Sequence, residues 1–182
     1  LSHRADDITF VTMFLDEARL AARLSHPNIV QTHEIGNEGD RHFMALEYLD
    51  GRTYERVRKR SKNLGNRLTL HMQLRVISDV LAGLQYAHEL TDFDGTPLTV
   101  VHRDVTPNNV FITFDGHVKL LDFGIAKAAD QTHETQAGVL KGKVAYMAPE
   151  QAGGQKVDAR ADLWSMGVVL YELLTGRKAF TG

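Results

Sequence analysis

Asp104 and Asn109 stand five residues apart in the stretch VVHRDVTPNNVFIT, between two apolar runs. Pro107 forbids a regular helix between them, so both polar side chains can turn to one side of an irregular loop. Thirteen residues after Asn109 a second aspartate, Asp122, lies in LLDFGIAK between apolar residues and a glycine. The runs VFIT and VKLL that separate them are joined through Asp115-Gly116, which predicts a tight hairpin. A hairpin brings the loop before its first strand close to the segment after its second. Asp104, Asn109 and Asp122 are therefore expected to converge. The oxygen ligands of Asn109 and Asp122 suit a hard cation such as Mg²⁺, which takes few protein ligands and keeps water or phosphate in its other positions.

The elements around these residues follow from periodicity. DDITFVTMFLDEARLAARLSHPN reads as a helix, with Val11, Phe14, Leu15, Ala18, Ala21 and Ala22 at helical spacing and Pro27 ending the pattern. IVQTHEI and RHFMALEYL read as two strands separated by the turn-rich GNEGD. A polar, basic stretch runs from Arg52 to Arg67; its charges Arg56, Arg58, Lys59, Arg60 and Lys62 read as a solvated face or as a selector of acidic peptides. Leu70, Leu74, Ile77, Leu81, Leu84 and His88 mark one face of a long helix. Residues 128–142 are polar and without period, which predicts a mobile loop. DLWSMGVVLYELLTG is apolar nearly all round and stops at Gly176, the pattern of a helix buried in a core. The order of elements predicts a mixed α+β fold, with the first three elements as a lobe of their own.

Composition narrows the function. Lys+Arg 21 against Asp+Glu 23 leaves a net charge of −2, which argues against a general binder of nucleic acid or membrane surfaces. Hydrophobic residues at 43% suffice for a core, and 182 residues suit one domain. Without cysteine there is neither a disulfide nor a thiolate metal site, which fits a reducing, cytoplasmic setting. No run approaches the ~20 apolar residues of a membrane span. The chain opens on Leu1 and stops at Gly182 just after a helical pattern, so it reads as a piece of a longer protein. Of the nine histidines, all but His102 read as solvent-facing or locally satisfied.

Asp104, Asn109 and Asp122 in this order and spacing, followed by VAYMAPE at 144–150, resemble the signature set of a protein kinase. His102-Arg103-Asp104 with Asn109 is similar to the catalytic loop. Asp122-Phe123-Gly124 is similar to the metal-binding motif, and Ala148-Pro149-Glu150 to the close of the activation segment. EARLAARLSHPNIV resembles helix αC and its exit, with Glu17 at the ion-pairing glutamate. MALEYLDG resembles the hinge, with Leu46 at the gatekeeper position and Glu47 to Leu49 offering backbone groups to adenine. The long final helix resembles the central helix of the C-lobe, with Asp162 as its anchoring acid. The style is nearest bacterial Ser/Thr kinases, above all those of myxobacteria-like organisms, and the likeness covers nearly the whole chain.

The resemblance implies a kinase-like fold, with 1–49 as partial N-lobe and hinge and 50–182 as partial C-lobe. It also implies roles. Asp104 would orient a substrate hydroxyl and accept its proton, while Asn109 and Asp122 hold Mg²⁺ against the phosphates of ATP. Glu17 would pair with a lysine gripping the α- and β-phosphates, Phe111 would pack under adenine, and His102 and Phe123 would stack in the core. The substrate would be a protein Ser/Thr hydroxyl, since HRDVTPNN lacks the Ala-Ala-Arg character of tyrosine kinases. Thr135, with Thr132 as the runner-up, would be the activating phosphosite, engaged by Arg103.

Three departures accompany the likeness. The 182 residues contain no glycine-rich phosphate loop and no VAIK-type lysine strand, which the family order places before Leu1, so the piece alone is expected to be inactive. Thr106 stands where such kinases carry lysine, and Lys143 where they carry threonine. We read this as a reciprocal swap that keeps one cation and one hydroxyl beside Asp104, against a solvent-facing Lys143 and a space-filling Thr106. Two other function classes compete. A pseudokinase binding module would be expected to lack Asp104, Asn109 or Asp122, and a small-molecule phosphotransferase would lack the Ala148-Pro149-Glu150 segment.

Overall fold

The computed structural model of the chain describes residues 18–39, 41–123 and 144–180. Residues 18–23 are helical (α1), and the turn that leaves them drives Leu24 inward beside Ala18, at 1% and 0% exposure. Ala22, expected on the same apolar stripe, is exposed instead, because Leu24 beyond the helix takes the inner position. The strands β1 (Thr32–Glu38) and β2 (Arg41–Leu46) pair antiparallel as a two-stranded ribbon. Their pairing continues to Glu38 opposite Arg41, so the ribbon absorbs most of the run expected as a turn. Gly39, at φ 59°, follows the last paired residue of β1 where the chain reverses.

A second sheet carries the chemistry. Its strands β3 (Gly51–Thr53), β4 (Val110–Thr113) and β5 (Val118–Leu120) are antiparallel in the order β3-β4-β5. The expected hairpin joins β4 to β5, with Gly116 at φ 92° in its turn. Gly51 is held to glycine by contact, since a Cβ there would run into the Ile112 carbonyl and the Thr113 Cα. The free edge of β5 is taken by residues 28–30: Leu120 N–H donates to the Asn28 carbonyl at 2.8 Å and Val30 N–H to the Leu120 carbonyl at 3.0 Å.

The polar, basic stretch after β3 is a helix, α2 (Tyr54–Asn63), which periodicity did not reveal. It has no apolar stripe to read. Tyr54 alone is buried, Glu55 lies in the first turn, and Arg60 and Lys62 lie in the last, so charge placement and one aromatic anchor hold it. The Tyr54 hydroxyl is buried without a hydrogen-bond partner among the described residues, and burial pushes its pKa from 10 up to about 12. Tyr54→Phe is therefore expected to stabilise the fold by about 1 kcal/mol, since an unpartnered buried hydroxyl carries a desolvation cost of that order. A raised folded-state pKa means that stability is intact below pH 10 and lost as pH climbs toward 12. Thermal unfolding of both proteins at neutral and alkaline pH checks this. A lower midpoint for Tyr54→Phe at neutral pH, or identical alkaline losses, would sink it.

The long helix α3 (Leu70–His88) begins where Thr69 Oγ1 accepts from Met72 N–H at 3.2 Å. Its buried face is Val76, Ile77, Val80, Gly83, Leu84 and Ala87, rotated from the expected one; Leu70, Leu74 and Leu81 are exposed. The cause is close approach at Gly83, where a Cβ would stand 3.1 Å from the Asn28 carbonyl. Small residues bring α3 against residues 28–29 and turn its larger leucines outward. After the short helix α4 (Pro149–Ala152) comes α5 (Arg160–Thr175), ended by Gly176 in the left-handed region at φ 68°. Contrary to expectation, α5 is buried on one face only. Ala161, Asp162, Ser165, Met166, Val168, Val169 and Glu172 are inside, whereas Leu163, Trp164, Tyr171 and Leu174 are exposed, and over that side only the Phe180 ring, stacked on Trp164 at 6.0 Å, is recorded among the described residues. No helix among the described residues is long and apolar enough to cross a membrane.

One core joins Leu24, Ile29 and Tyr54 to the inner faces of α3, α5, β4 and β5. No residue of β1 or β2 belongs to it. A two-stranded ribbon outside the core is marginal by itself. Amides of residues 32–46 are accordingly expected to exchange with solvent faster than those of α3 and α5, by local opening well below the global unfolding free energy. Hydrogen-exchange mass spectrometry reads this directly, and equal protection of ribbon and helices would contradict it.

Candidate active site

The loop of residues 100–109 runs from the end of the α3 region to β4, and a single carboxylate shapes it. Asp162, wholly buried in the first turn of α5, accepts from His102 N–H at 2.9 Å and Arg103 N–H at 2.8 Å. His88, at the end of α3, donates from Nε2 to the same carboxylate at 2.7 Å. Burying a carboxylate costs several kcal/mol unless donors surround it, and here three do. Arg103 sits in the left-handed region at φ 64°, a strained place for any residue with a Cβ, and its carbonyl accepts from Gln151 Nε2 at 2.7 Å. The loop is thus pinned from α5 on one side and from α4 on the other.

His102 is fully buried and fixes the next residues. Its Nδ1 accepts from Asp104 N–H at 3.2 Å, which leaves Nε2–H to donate to the Leu121 carbonyl at 2.8 Å. The imidazole also packs on Phe123, ring centres 4.7 Å apart, as the resemblance implied. Asp104 is 8% exposed. Asn109 donates from Nδ2 to the Asp104 carbonyl at 2.7 Å, so Oδ1 is the amide atom left for a cation. The Asn109 carbonyl in turn accepts from Leu121 N–H at 2.8 Å. That bond, with the His102–Leu121 bond, holds the segment bearing Asp122 beside the loop. Asp122 is exposed, with a left-handed backbone at φ 48°. No group of three His, Cys, Asp or Glu side chains among the described residues could cage a metal. One amide oxygen and one exposed carboxylate instead fit Mg²⁺, which binds through one or two carboxylates and keeps positions for water or phosphate.

The other expected residues fall around this centre. Leu46 lines a small cavity of about 30 Å³ together with Met44, Leu24, Asp122 and Phe123, so the end of β2 and the second aspartate share one wall. Glu47 N–H is committed to the Gln31 carbonyl at 2.9 Å, which leaves the Glu47 carbonyl and the half-buried Leu49 to meet a ligand. Phe111 lies in β4 opposite Thr53 and Lys119. Thr106 is 3% exposed, and its hydroxyl has no hydrogen-bond partner among the described residues. Glu17, Lys143, Thr132 and Thr135 lie outside the described residues.

Two contacts were not legible. Lys119 Nζ meets Glu47 Oε1 at 2.6 Å, and Gln31 N–H donates to the same oxygen at 2.7 Å. Burial works to raise the Glu47 pKa, but the bonds from Lys119 and Gln31 outweigh it and hold the carboxyl below its usual range. The pair fastens the segment after β2 to β5, and no spacing rule connects residues 47 and 119. Gln151 on the Arg103 carbonyl was equally hidden, although it directly follows the Ala148-Pro149-Glu150 segment.

Comparison with known proteins agrees with this geometry. The family model described as protein kinase domain matches residues 2–182. The tyrosine-protein kinase MasK of Myxococcus xanthus is 48% identical over 181 residues, covering 100% of this chain and 28% of that protein. The serine/threonine-protein kinase PknL of Mycobacterium tuberculosis is 39% identical across 100% of this chain and 42% of its own length. The chain thus spans less than half the length of these relatives. Among solved structures, the PknI kinase domain of Mycobacterium tuberculosis superposes with a TM-score of 0.69 at 30% identity, over 94% of this chain and 59% of that one.

Proposed function

This chain belongs to the protein kinase family, and we propose that the protein carrying it transfers the γ-phosphate of ATP to a serine or threonine hydroxyl of a protein substrate. The observation that carries the reading is the loop fastened by Asp162. It holds Asp104 beside Asn109, and Leu121, which precedes Asp122, is bonded to Asn109 and His102. In this reading the substrate hydroxyl oxygen bonds to the γ-phosphorus as the bond to the β,γ-bridging oxygen breaks and ADP departs. Asp104 orients the hydroxyl and takes its proton. Asn109 Oδ1 and the Asp122 carboxylate would hold Mg²⁺, which supplies neutralisation of phosphate charge when bound. Leu46, the Glu47 carbonyl, Leu49 and Phe111 receive the adenine, and Glu17 pairs with the lysine that grips the phosphates. Because the chain has no cysteine, the proposed setting is the cytoplasm.

A second reading has one specific support: the relative at 48% identity is named a tyrosine kinase, whereas that at 39% is named a serine/threonine kinase. Phosphoamino-acid analysis after incubation with ATP, Mg²⁺ and a mixed protein substrate separates them. The assay uses the longer protein, because these 182 residues hold neither a glycine-rich loop nor a VAIK-type lysine. Phosphoserine and phosphothreonine are expected. Phosphotyrosine alone would move the assignment to the second reading, and no transfer at all would end the kinase reading.

The exchange of Thr106 and Lys143 belongs to the same site. The Thr106 hydroxyl is buried and unpartnered among the described residues, which supports a role that draws on a neighbour or a ligand. We expect Lys143→Thr to lower turnover by about a hundredfold, the order lost with one preorganised stabilising group. Thr106→Lys is expected to restore part of that loss. A double-mutant cycle on kcat measures the coupling. A loss under about tenfold for Lys143→Thr, or strict additivity, would leave the swap without support.

A further inference from the structure

The helix that the sequence concealed borders a large groove separate from the catalytic loop. This groove, about 820 Å³, lies between α2, the loop to α3 and the turn of the β4–β5 hairpin. Its cations are Arg52, Arg56, Lys59, Arg60 and Arg67, and no acidic residue lines it. Five positive charges on one wall are unexpected in a chain of net charge −2. Arg56, Lys59 and Arg60 recur at helical spacing, on a side of α2 turned from Arg58. Lys59 reaches Glu55 at 3.0 Å and Arg52 lies over the Phe114 ring at 5.4 Å. Arg56, Arg60 and Arg67 make no ion pair among the described residues.

The floor between these cations is apolar. Val57, Leu64, Leu68, Met72 and Phe114 line it, and Leu64, Met72 and Phe114 are 58%, 55% and 70% exposed. Exposed apolar side chains gathered under one sign of charge are costly to keep wet, and such patches mark binding sites.

We propose that this groove docks an acidic segment of a protein partner, with apolar side chains seated among Leu64, Met72 and Phe114 and carboxylates paired to Arg56, Arg60 and Arg67. Charge complementarity carries the choice of occupant. The concave shape favours a peptide segment over a lipid surface, which is flat and would meet only the rim. The site lies on a different face of α2 from the pocket that contains Thr106 and Tyr146, so it selects or tethers a partner without touching the reacting groups.

The test is fluorescence-anisotropy binding to the protein carrying this chain, with a short labelled peptide that alternates glutamate with leucine. Controls carry glutamine for glutamate, or serine for leucine, and vesicles of phosphatidylglycerol stand for an anionic membrane. The acidic-apolar peptide is expected to bind, to weaken with salt, and to lose at least about tenfold in affinity when Arg56→Glu and Arg67→Glu are combined. Both peptide controls should bind at least several-fold more weakly. Arg67→Glu alone lies in the loop between helices, so it reports on the groove even if α2 tolerates no reversal; it should weaken binding about threefold. Binding unchanged by either variant, equal binding of the neutral peptide, or vesicle binding that falls in the same variants while the peptide does not bind would each overturn the proposal. Because the readout is binding, its failure leaves the assignment of phosphoryl transfer untouched.

Discussion

Replacing Asp104 by Asn in the full protein is expected to lower kcat by about a thousandfold while the KM for ATP changes by less than about threefold. A positioned base contributes on the order of 10²–10⁴ in rate, and the amide keeps the shape of the carboxylate but cannot take a proton. Two contacts that hold this residue in the loop are made by its backbone: its N–H donates to His102 and its carbonyl accepts from Asn109. Asparagine preserves both, so the loop should stay folded and the loss should fall on the chemical step. Steady-state kinetics with ATP and protein substrate varied separately reads the division. A fall in kcat below about tenfold would remove Asp104 from the role of base.

The largest structural loss is expected at Asp162. Alanine there strands the His102 and Arg103 amides and His88 Nε2, donors that converge on one carboxylate. Each stranded buried donor costs about 1–3 kcal/mol, and breaking a buried network by deleting one partner commonly costs about 3–5 kcal/mol. Against a domain stability of about 5–15 kcal/mol, that is a large fraction, and the melting temperature should drop by about 10 °C. Asp162→Asn should remain well below the native protein, since its NH₂ faces donors where an acceptor is needed. Denaturant unfolding gives the comparison. A loss under about 1 kcal/mol for alanine would show that the loop does not depend on this carboxylate.

How much of this was legible in the sequence depends on the range of the interaction. The β4–β5 hairpin could be read because Asp115-Gly116 is a local turn signal, and with it the approach of Asp122 to Asn109. The extent of α3 followed from its period, but not its inner face, because the approach of Asn28 at Gly83 is a tertiary fact that outweighs three leucines. Helix α2 escaped because it is held by one buried tyrosine and its charges rather than by an apolar stripe. The one-sided burial of α5 escaped for the opposite reason: hydrophobicity records what a helix can bury, not what lies beside it. Lys119 on Glu47 and Gln151 on Arg103 join distant residues through single contacts, which leave no periodic trace.

The bonds from His102 and Arg103 to Asp162 span 60 and 59 residues of chain. Their formation must therefore await the arrival of α5 against α3, a closure of large entropic cost that local structure cannot bring forward. The hairpin of β4 and β5 can form early from neighbouring residues, but the loop before it has no reason to adopt its strained backbone until the carboxylate is in place. The segment bearing Asp104 is thus expected to be among the last to order during folding and among the first to lose its shape when α5 loosens. Competence for chemistry would then report on completed assembly, so that a half-folded chain could not act on a substrate ahead of time.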